Sequence, residues 1–528
     1  MRNIKLTIAS LAVTAIVSGA AAQEPAEAST PAGIERKKME SLWFTHTDNA
    51  AGAQLDAMGR YSRLGIKYDK TKGGYKRAQE GVNNDSYGFS TDGGGTFDNL
   101  GGAFLWGYFD YTHDKIRDAR FNASLIDPLR GMPYYIADRN LSDWINQDYS
   151  LGLKAATPAL WDRLIFGIGL DYTNAQGAKQ MDPRPKVLMS KFAVTPSVVV
   201  TAGRHAVGAD FAYSSRREDG LSMNSVIFVN QPVWEMLGTG FFTEGEIGAG
   251  MSGLRDYNAN SLGGGVQYSF STDKIKVLLS GEYTHTVEDA GNHYTTPKTV
   301  GTTKENIWVG KLDLLWSLDD NNALSFDAEY YDRSLDGIEY VQIFDNTYEV
   351  SQWVVLSKNI RSNWSTRRAG FSLDYMNKDG GDAYRWLAGV DLRYEKFSDI
   401  YYIPRSTQNV DDIRIELRAK KNFRFGDNSI LLGARGSYKN VLDSDRAYGG
   451  NNSSSEIYTE MVLHDYDYMR CDSYSLGGEL TYTRHGIFNG RTSIFAKASA
   501  DCLKACDSKI GRALGRRGFL AVEVGLAV

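Results

Sequence analysis

From Tyr61 onward the chain alternates apolar and polar positions with period two. In 163–172, Leu164, Phe166, Ile168, Leu170 and Tyr172 fall on one side, and Ile165, Gly167, Gly169 and Asp171 on the other. Ile275, Val277, Leu279 and Tyr283 oppose Lys276, Ser280 and Glu282. Leu324, Phe326, Ala328 and Tyr330 oppose Ser325, Asp327 and Glu329, and Ile413, Ile415, Leu417 and Ala419 oppose Arg414, Glu416, Arg418 and Lys420. This is the period of a β-strand with one apolar and one polar face. A soluble sandwich turns the apolar face inward, whereas a membrane barrel turns it toward lipid.

The connections decide between the two. Tight turns at Ala202, Ser271, Ser317, Asn377, Phe423 and Arg484 alternate with long polar stretches at 113–142, 286–303, 332–365 and 440–470. Short turns at one rim and long loops at the other characterise outer-membrane barrels, with the short turns periplasmic. The pattern therefore predicts an all-β protein, a single transmembrane antiparallel β-barrel of about eighteen strands within bounds of about 14–20. The stretch 217–261 is too apolar to lie free in water. It either adds a strand pair or folds over or into the lumen, and burial of Ile227, Phe228, Val233, Trp234, Phe241 and Phe242 favours the second. Phe166, Leu279, Phe326 and Ile415 are expected to face lipid, with Gly167 and Ser280 as milder inward positions.

Two sets of residues follow from this facing. Tyr68, Tyr111, Tyr172, Tyr213, Tyr283, Tyr330, Tyr394 and Tyr438 each end an upward strand on its apolar face, as an interfacial aromatic girdle requires. Arg63, Lys67, Asp171, Asp210, Lys276, Glu282, Lys311, Asp313, Asp327, Glu329, Arg385, Asp391, Arg393, Arg414, Glu416, Arg418 and Arg435 are expected to face the lumen. They would either form a cross-strand ladder that stiffens the wall or line a wet channel. At the C-terminus, Leu520, Val522, Val524, Leu526 and Val528 alternate with Ala521, Glu523, Gly525 and Ala527. That is a closing strand of the kind read by the barrel assembly machinery, although it lacks a terminal aromatic.

The N-terminus changes the cellular picture. Arg2 and Lys5, the apolar run Leu6–Val17 and Ala20-Ala21-Ala22 have the layout of a secretory signal peptide, too short to span a bilayer. The expected organisation is a signal peptide over 1–22, a periplasmic or lumenal segment over 23–57, and a barrel over 58–528, exported to the outer membrane of a Gram-negative bacterium and embedded in its lipid. Within the segment, Leu42-Trp43-Phe44 is a short apolar cluster, and 48–55 could turn into a short helix. Composition agrees: the 528 residues include 54 glycines, 31 tyrosines and only 11 prolines, and mean hydropathy is −0.38. A net charge of −5 without a basic block gives no footing for nucleic acid.

Several segments carry a resemblance. "NAAGAQL" near the start, "GYFDYTHDK", "DPLRGMPYYIADRNLSDWINQDYSL" from Asp127 and "QMDPRPK" from Gln180 resemble the Bacteroidota-type outer-membrane β-barrel proteins of unknown function. The resemblance implies location and fold and brings no chemistry. "NAAGA" is also similar to the Asn-Pro-Ala-Gly motif of the long-chain fatty-acid transporters, with Ala50 in place of the proline.

Catalytic equipment is thin, and the chain reads as a non-enzyme. The histidines are His46, His113, His205, His285, His293, His464 and His485. None stands in the His-x-Ser arrangement of a barrel lipid hydrolase, and His464 with Asp465 and Asp467 reads as a polar surface loop. Asp319-Asp320-Asn321-Asn322 lacks the spacing of a calcium loop, so neither metal nor cofactor is expected. Of three cysteines, Cys471 and Cys502 lie nearly equidistant from the turn at 484–490 and are expected to bridge, with Cys502–Cys506 as the alternative. The functional expectation is a pore or transporter for a small or amphipathic solute. Its competitors are a loop-plugged structural or partner-binding barrel and, remotely, a lipid hydrolase.

Overall fold

The computed structural model describes residues 29–528 apart from 223, 226–227, 249–254, 293–295, 297, 348, 491, 507–509 and 512. The expected signal peptide and His293 lie outside the described residues.

Eighteen antiparallel strands form one closed sheet. They are β1 (Tyr61–Gly73), β2 (Asn83–Phe97), β3 (Ala103–Ala119), β5 (Ser142–Ala156), β6 (Leu164–Lys179), β7 (Lys186–Ala202), β8 (His205–Leu221), β11 (Arg255–Ser271), β12 (Ile275–Asn292), β13 (Lys298–Ser317), β14 (Asn322–Asp345), β15 (Gln352–Lys378), β16 (Tyr384–Tyr401), β17 (Ser406–Phe425), β18 (Asn428–Ala447), β19 (Asp472–Gly486), β20 (Thr492–Cys506) and β21 (Arg516–Ala527). Pairing of β1 with β21, from Arg63↔Ala527 to Gly73↔Arg517, closes the barrel. A closed sheet leaves no edge for lipid to desolvate, which is what lets strands cross a bilayer. The closing strand turns Leu520, Val522 and Val524 outward, exposed, and Glu523 inward onto Arg63. The outer membrane is where such a barrel belongs.

The lipid face follows the alternation. Phe166, Leu279 and Ile415 are 46, 52 and 44% exposed, and Phe326 is half-buried. Several of the tyrosines expected to form a girdle stand opposite aromatic residues on the neighbouring strands. Tyr68 faces Tyr87, Tyr111 faces Tyr149, Tyr283 faces Trp308 and Tyr438 faces Tyr474. Trp316, Tyr375, Trp386, Phe423 and Tyr482 expose a second belt at the short-turn rim.

Three expectations are corrected. First, 286–303 and 332–365 are largely strand: β12 and β13 run on, and β14 and β15 span 24 and 27 residues. The membrane needs only about 9–11 residues of each. In the remainder apolar residues such as Val341, Phe344, Leu356 and Ile360 mix with polar ones without keeping to one face, so the alternation fades while the backbone pairing persists.

Second, 217–261 adds no wall strands, as its apolar content favours, but not all of the residues expected to be buried are. Its ends belong to β8 and β11, which pair directly (Tyr257↔Glu218). Its middle forms a hairpin, β9 (Gln231–Gly238) and β10 (Phe241–Ile247), which joins β4 (Ile136–Asp138) in a separate three-stranded sheet. Val233 and Trp234 are buried there, but Phe228 is 88% exposed, and Ile227 lies outside the described residues.

Third, Cys471 and Cys502 are not bridged. The β19–β20 register sets Leu476 opposite Cys502 and Asp472 opposite Cys506. The turn's axis lies later in the chain than its composition suggests, because Ile487–Gly490 adds a helical turn there. No bridge joins Cys502 to Cys506 either.

An arginine at Leu279 or Ile415 should cost about 2–4 kcal/mol of stability in lipid, and one at lumenal Gly370 much less. Gly370 has open space beside it, whereas Gly167 and Ser280 lie under packed chain. Equal losses at the two kinds of site, measured by unfolding in vesicles, would contradict the facing.

Candidate functional site: the plugged lumen

The segment after Ser29 folds into three short helices inside the short-turn half of the lumen. Helix α1 (Pro31–Glu40) is capped by the Thr30 hydroxyl, which accepts from the Gly33 amide at 3.0 Å, with Pro31 at its first position. Helix α2 (Leu42–His46) has no cap from its own N-terminal residue. Asp56 supplies one from a distance, accepting from the amides of Phe44 at 2.7 Å and Trp43 at 3.4 Å. In α3 (Ala50–Ala53) the Asn49 side-chain Oδ1 accepts from the Gly52 amide at 3.0 Å. Gly52 lies flat under the Trp43 ring, where a Cβ would come within 2.0 Å of it.

The segment reaches the wall almost all the way round. Lys38 pairs with Asp92 of β2, and Lys154 of β5 donates to the Phe44 and Thr47 carbonyls. The Ala51 amide donates to Ser197 of β7 at 3.0 Å, and Asn49 to Gln267 of β11 at 2.8 Å. Lys276 and Lys311 donate to the Glu40 and His46 carbonyls. Lys378 pairs with Glu40 at 2.9 Å, and Glu35 accepts from Tyr384 at 2.6 Å and Lys420 at 2.8 Å. The inward Gly167 of β6 lets the backbone close in, since a Cβ there would stand 2.2 Å from the Ala51 nitrogen.

Beneath these polar contacts lies an apolar collar. Phe104, Ile165, Val199, Leu278, Leu315, Met376, Leu387 and Leu431 are buried inward and pack with Leu42, Trp43 and Phe44. The sequence carries a sign of the collar. Leu164-Ile165-Phe166, Val198-Val199-Val200, Val277-Leu278-Leu279, Leu314-Leu315-Trp316 and Ile430-Leu431-Leu432 break the alternation with apolar triplets at the short-turn ends. The central residue of each is buried, and at least one flanking residue is exposed toward lipid.

Above the plug is a cavity of about 360 Å³, lined in part by His46, Lys311, Asp313, Asp327, Glu329, Asp391 and Arg393. The remaining lumenal residues are mostly tied to neighbours. Arg63 pairs with Glu523, and Arg418 with Asp391 and Asp374. Arg435 donates to Asp501 at 2.6 Å, Asp171 accepts from Tyr108 at 2.9 Å, and Asp210 accepts from Gln267. Glu282 lies 3.9 Å from Lys311. Lys67 packs against Gly88, Arg414 is exposed, Glu416 stands opposite Asp391, and Arg385 lies exposed at the rim near the Asp379 carbonyl. The wall thus carries paired charges and lines the cavity.

The long-loop end is covered. Trp234 and Met236 of β9 pack with Phe121, Ala137, Ile457 and Met461. Arg130 pairs with Glu288, Glu218 accepts from the Leu125 and Ile126 amides, and Thr239 donates to Asp399. His464 and Asp465 hold this cover to the 74–82 connection, through the Lys76 carbonyl and Arg77. They are structural contacts within a helix, Leu463–Met469, rather than a loose loop. The serine–histidine contact at Ser429 and His485, 3.0 Å apart, lies at the lumenal side of the short-turn rim and away from lipid.

These features define an outer-membrane β-barrel with an internal N-terminal plug and an external cover. The chain belongs to the family described as "Family of unknown function (DUF6850)", whose model matches residues 50–527. No curated protein matches it in sequence. Similar solved structures include BauA, the ferric preacinetobactin receptor from Acinetobacter baumannii (10% identity, 88% of this chain and 80% of that chain, TM-score 0.39). Others are the siderophore receptor PiuA from the same species (11%, 88% and 82%, 0.38) and the outer membrane transporter YddB from Escherichia coli (8%, 89% and 81%, 0.38). Likeness this slight says nothing about what this chain carries.

Asp56 makes plug docking sensitive to pH. Removal from water raises its carboxyl from an ordinary 3.8 to about 7. The docked state therefore favours the protonated form, and this contribution to stability falls as pH rises from about 4 to 7. The stability advantage of wild type over Asp56→Asn should shrink between pH 5 and pH 8, as read from melting temperatures in detergent. An advantage that grows instead would contradict this assignment.

Proposed function

We propose that this protein is a gated outer-membrane transporter for a small or amphipathic solute, with residues 31–57 as its gate. One observation carries the reading. The plug is held to a charged, partly wet lumenal wall by hydrogen bonds and ion pairs that water can replace, and a cavity lies directly above it. Each such hydrogen bond exchanges for one to water and contributes only about 0.5–1.5 kcal/mol net, so such a fastening can be released in steps. Export by a cleaved signal peptide, insertion by the barrel assembly machinery and the likeness to Bacteroidota-type barrels belong to the same proposal.

The covered outer end favours a second reading, a permanently closed barrel that presents its loops to a partner. Conductance separates the two. In planar bilayers the full chain should stay closed, and a variant lacking residues 31–57 should give stable conductance steps. A correctly inserted deletion variant that stays closed would favour the partner-binding barrel and overturn the gate.

A further inference from the structure

Asp313 and Asp327 stand directly opposite each other on β13 and β14, both turned into the lumen. Like charges at facing positions of a ladder destabilise the sheet unless something neutralises them. Nearby cations are engaged elsewhere. Lys311 donates to the His46 carbonyl at 3.1 Å, and Arg418 is held between Asp374 and Asp391. What faces the two carboxylates is His46, at the end of α2. Its Nδ1 lies 3.1 Å from Asp313 Oδ1 and its Nε2 lies 3.7 Å from Asp327 Oδ1.

A second observation points to a ligand. The Asp313 side chain is only 2% exposed, yet its Oδ2 has no hydrogen-bond partner, and neither has Asp327 Oδ1. A carboxylate oxygen left unpaired is costly, and it is answered by a bound ion, an ordered water or a proton shared between the two carboxyls; the imidazole set against this pair favours the ion. One donor atom from each of the three residues lies within 4.8 Å of the other two. Metal–ligand bonds of about 2.0–2.2 Å put adjacent tetrahedral ligands roughly 3.3 Å apart. The 3.1 Å contact between His46 and Asp313 is already near that spacing.

We propose that His46, Asp313 and Asp327 form a site for one divalent transition-metal ion, latching the plug to the wall. Two carboxylates balance the charge of the ion, and one imidazole with two oxygens suits zinc or copper. Calcium, which takes 6–8 oxygen ligands, is disfavoured by the imidazole nitrogen. The open coordination positions face the cavity above the plug, so water or a small anionic ligand can complete the shell. Because one ligand comes from the plug and two from the barrel, binding favours the docked plug by mass action. The site stands whether or not the barrel transports anything.

Full-length protein in detergent, stripped with EDTA and dialysed against Zn2+ or Cu2+, should retain one ion per chain. His46→Asn, which leaves the wall intact, should weaken binding by about tenfold or more, on the scale of losses seen when metal sites are disturbed. Asp313→Asn combined with Asp327→Asn should abolish it, with heat-modifiability on gels confirming a folded barrel. The Cu2+ electron paramagnetic resonance spectrum should show coupling to one imidazole nitrogen in the wild type, and none in His46→Asn. Absence of stoichiometric binding, or a spectrum and affinity unchanged by His46→Asn, would overturn the site.

Discussion

Everything in this structure depends on the closure of β1 onto β21. Lipid offers no partner for a backbone amide, so the sheet has to end where it begins. Closing eighteen strands fixes a lumen wider than wall side chains alone can fill. That space has to be wetted, filled by chain or both, and this protein does both. The cover packs at the long-loop end, the plug fills the short-turn half, and the charged cavity lies above the plug.

The two closures use different physics. The plug sits on an apolar collar made by residues such as Ile165, Val199, Leu278 and Leu315, then fans out polar contacts to at least ten strands' worth of wall. The collar gives docking a hydrophobic basis, and the polar contacts give it register and a means of release. The cover relies on its own small sheet and core, joined to the strand extensions by Arg130–Glu288 and by Glu218 beneath the Leu125 and Ile126 amides.

The wall was legible in the sequence because a lipid-facing strand needs apolar residues at every second position, as in Leu164–Tyr172. The strand extensions of β14 and β15 were not, since a strand with water on both sides has no such constraint. Parity assigns the charges of a strand to one face, but it does not say what they touch. His46 stood out in no motif: its partners lie some 265 and more residues away on strands it meets only in the folded chain. The collar did leave a trace, the apolar triplets, which a reading confined to alternation treats as noise. The hairpin of Cys471 and Cys502 shows the converse, where a plausible turn centre gave the wrong register because four residues coil within the turn.

Helices of 10, 5 and 4 residues do not persist alone in water, so their survival reports docking directly. The most direct test of the plug is amide hydrogen exchange across residues 42–53 of the inserted protein. Docking predicts slow exchange there, with the Ala51 amide on Ser197 and the Phe44 amide on Asp56 protected nearly as well as wall strands. Exchange as fast as in an unstructured peptide would contradict the account.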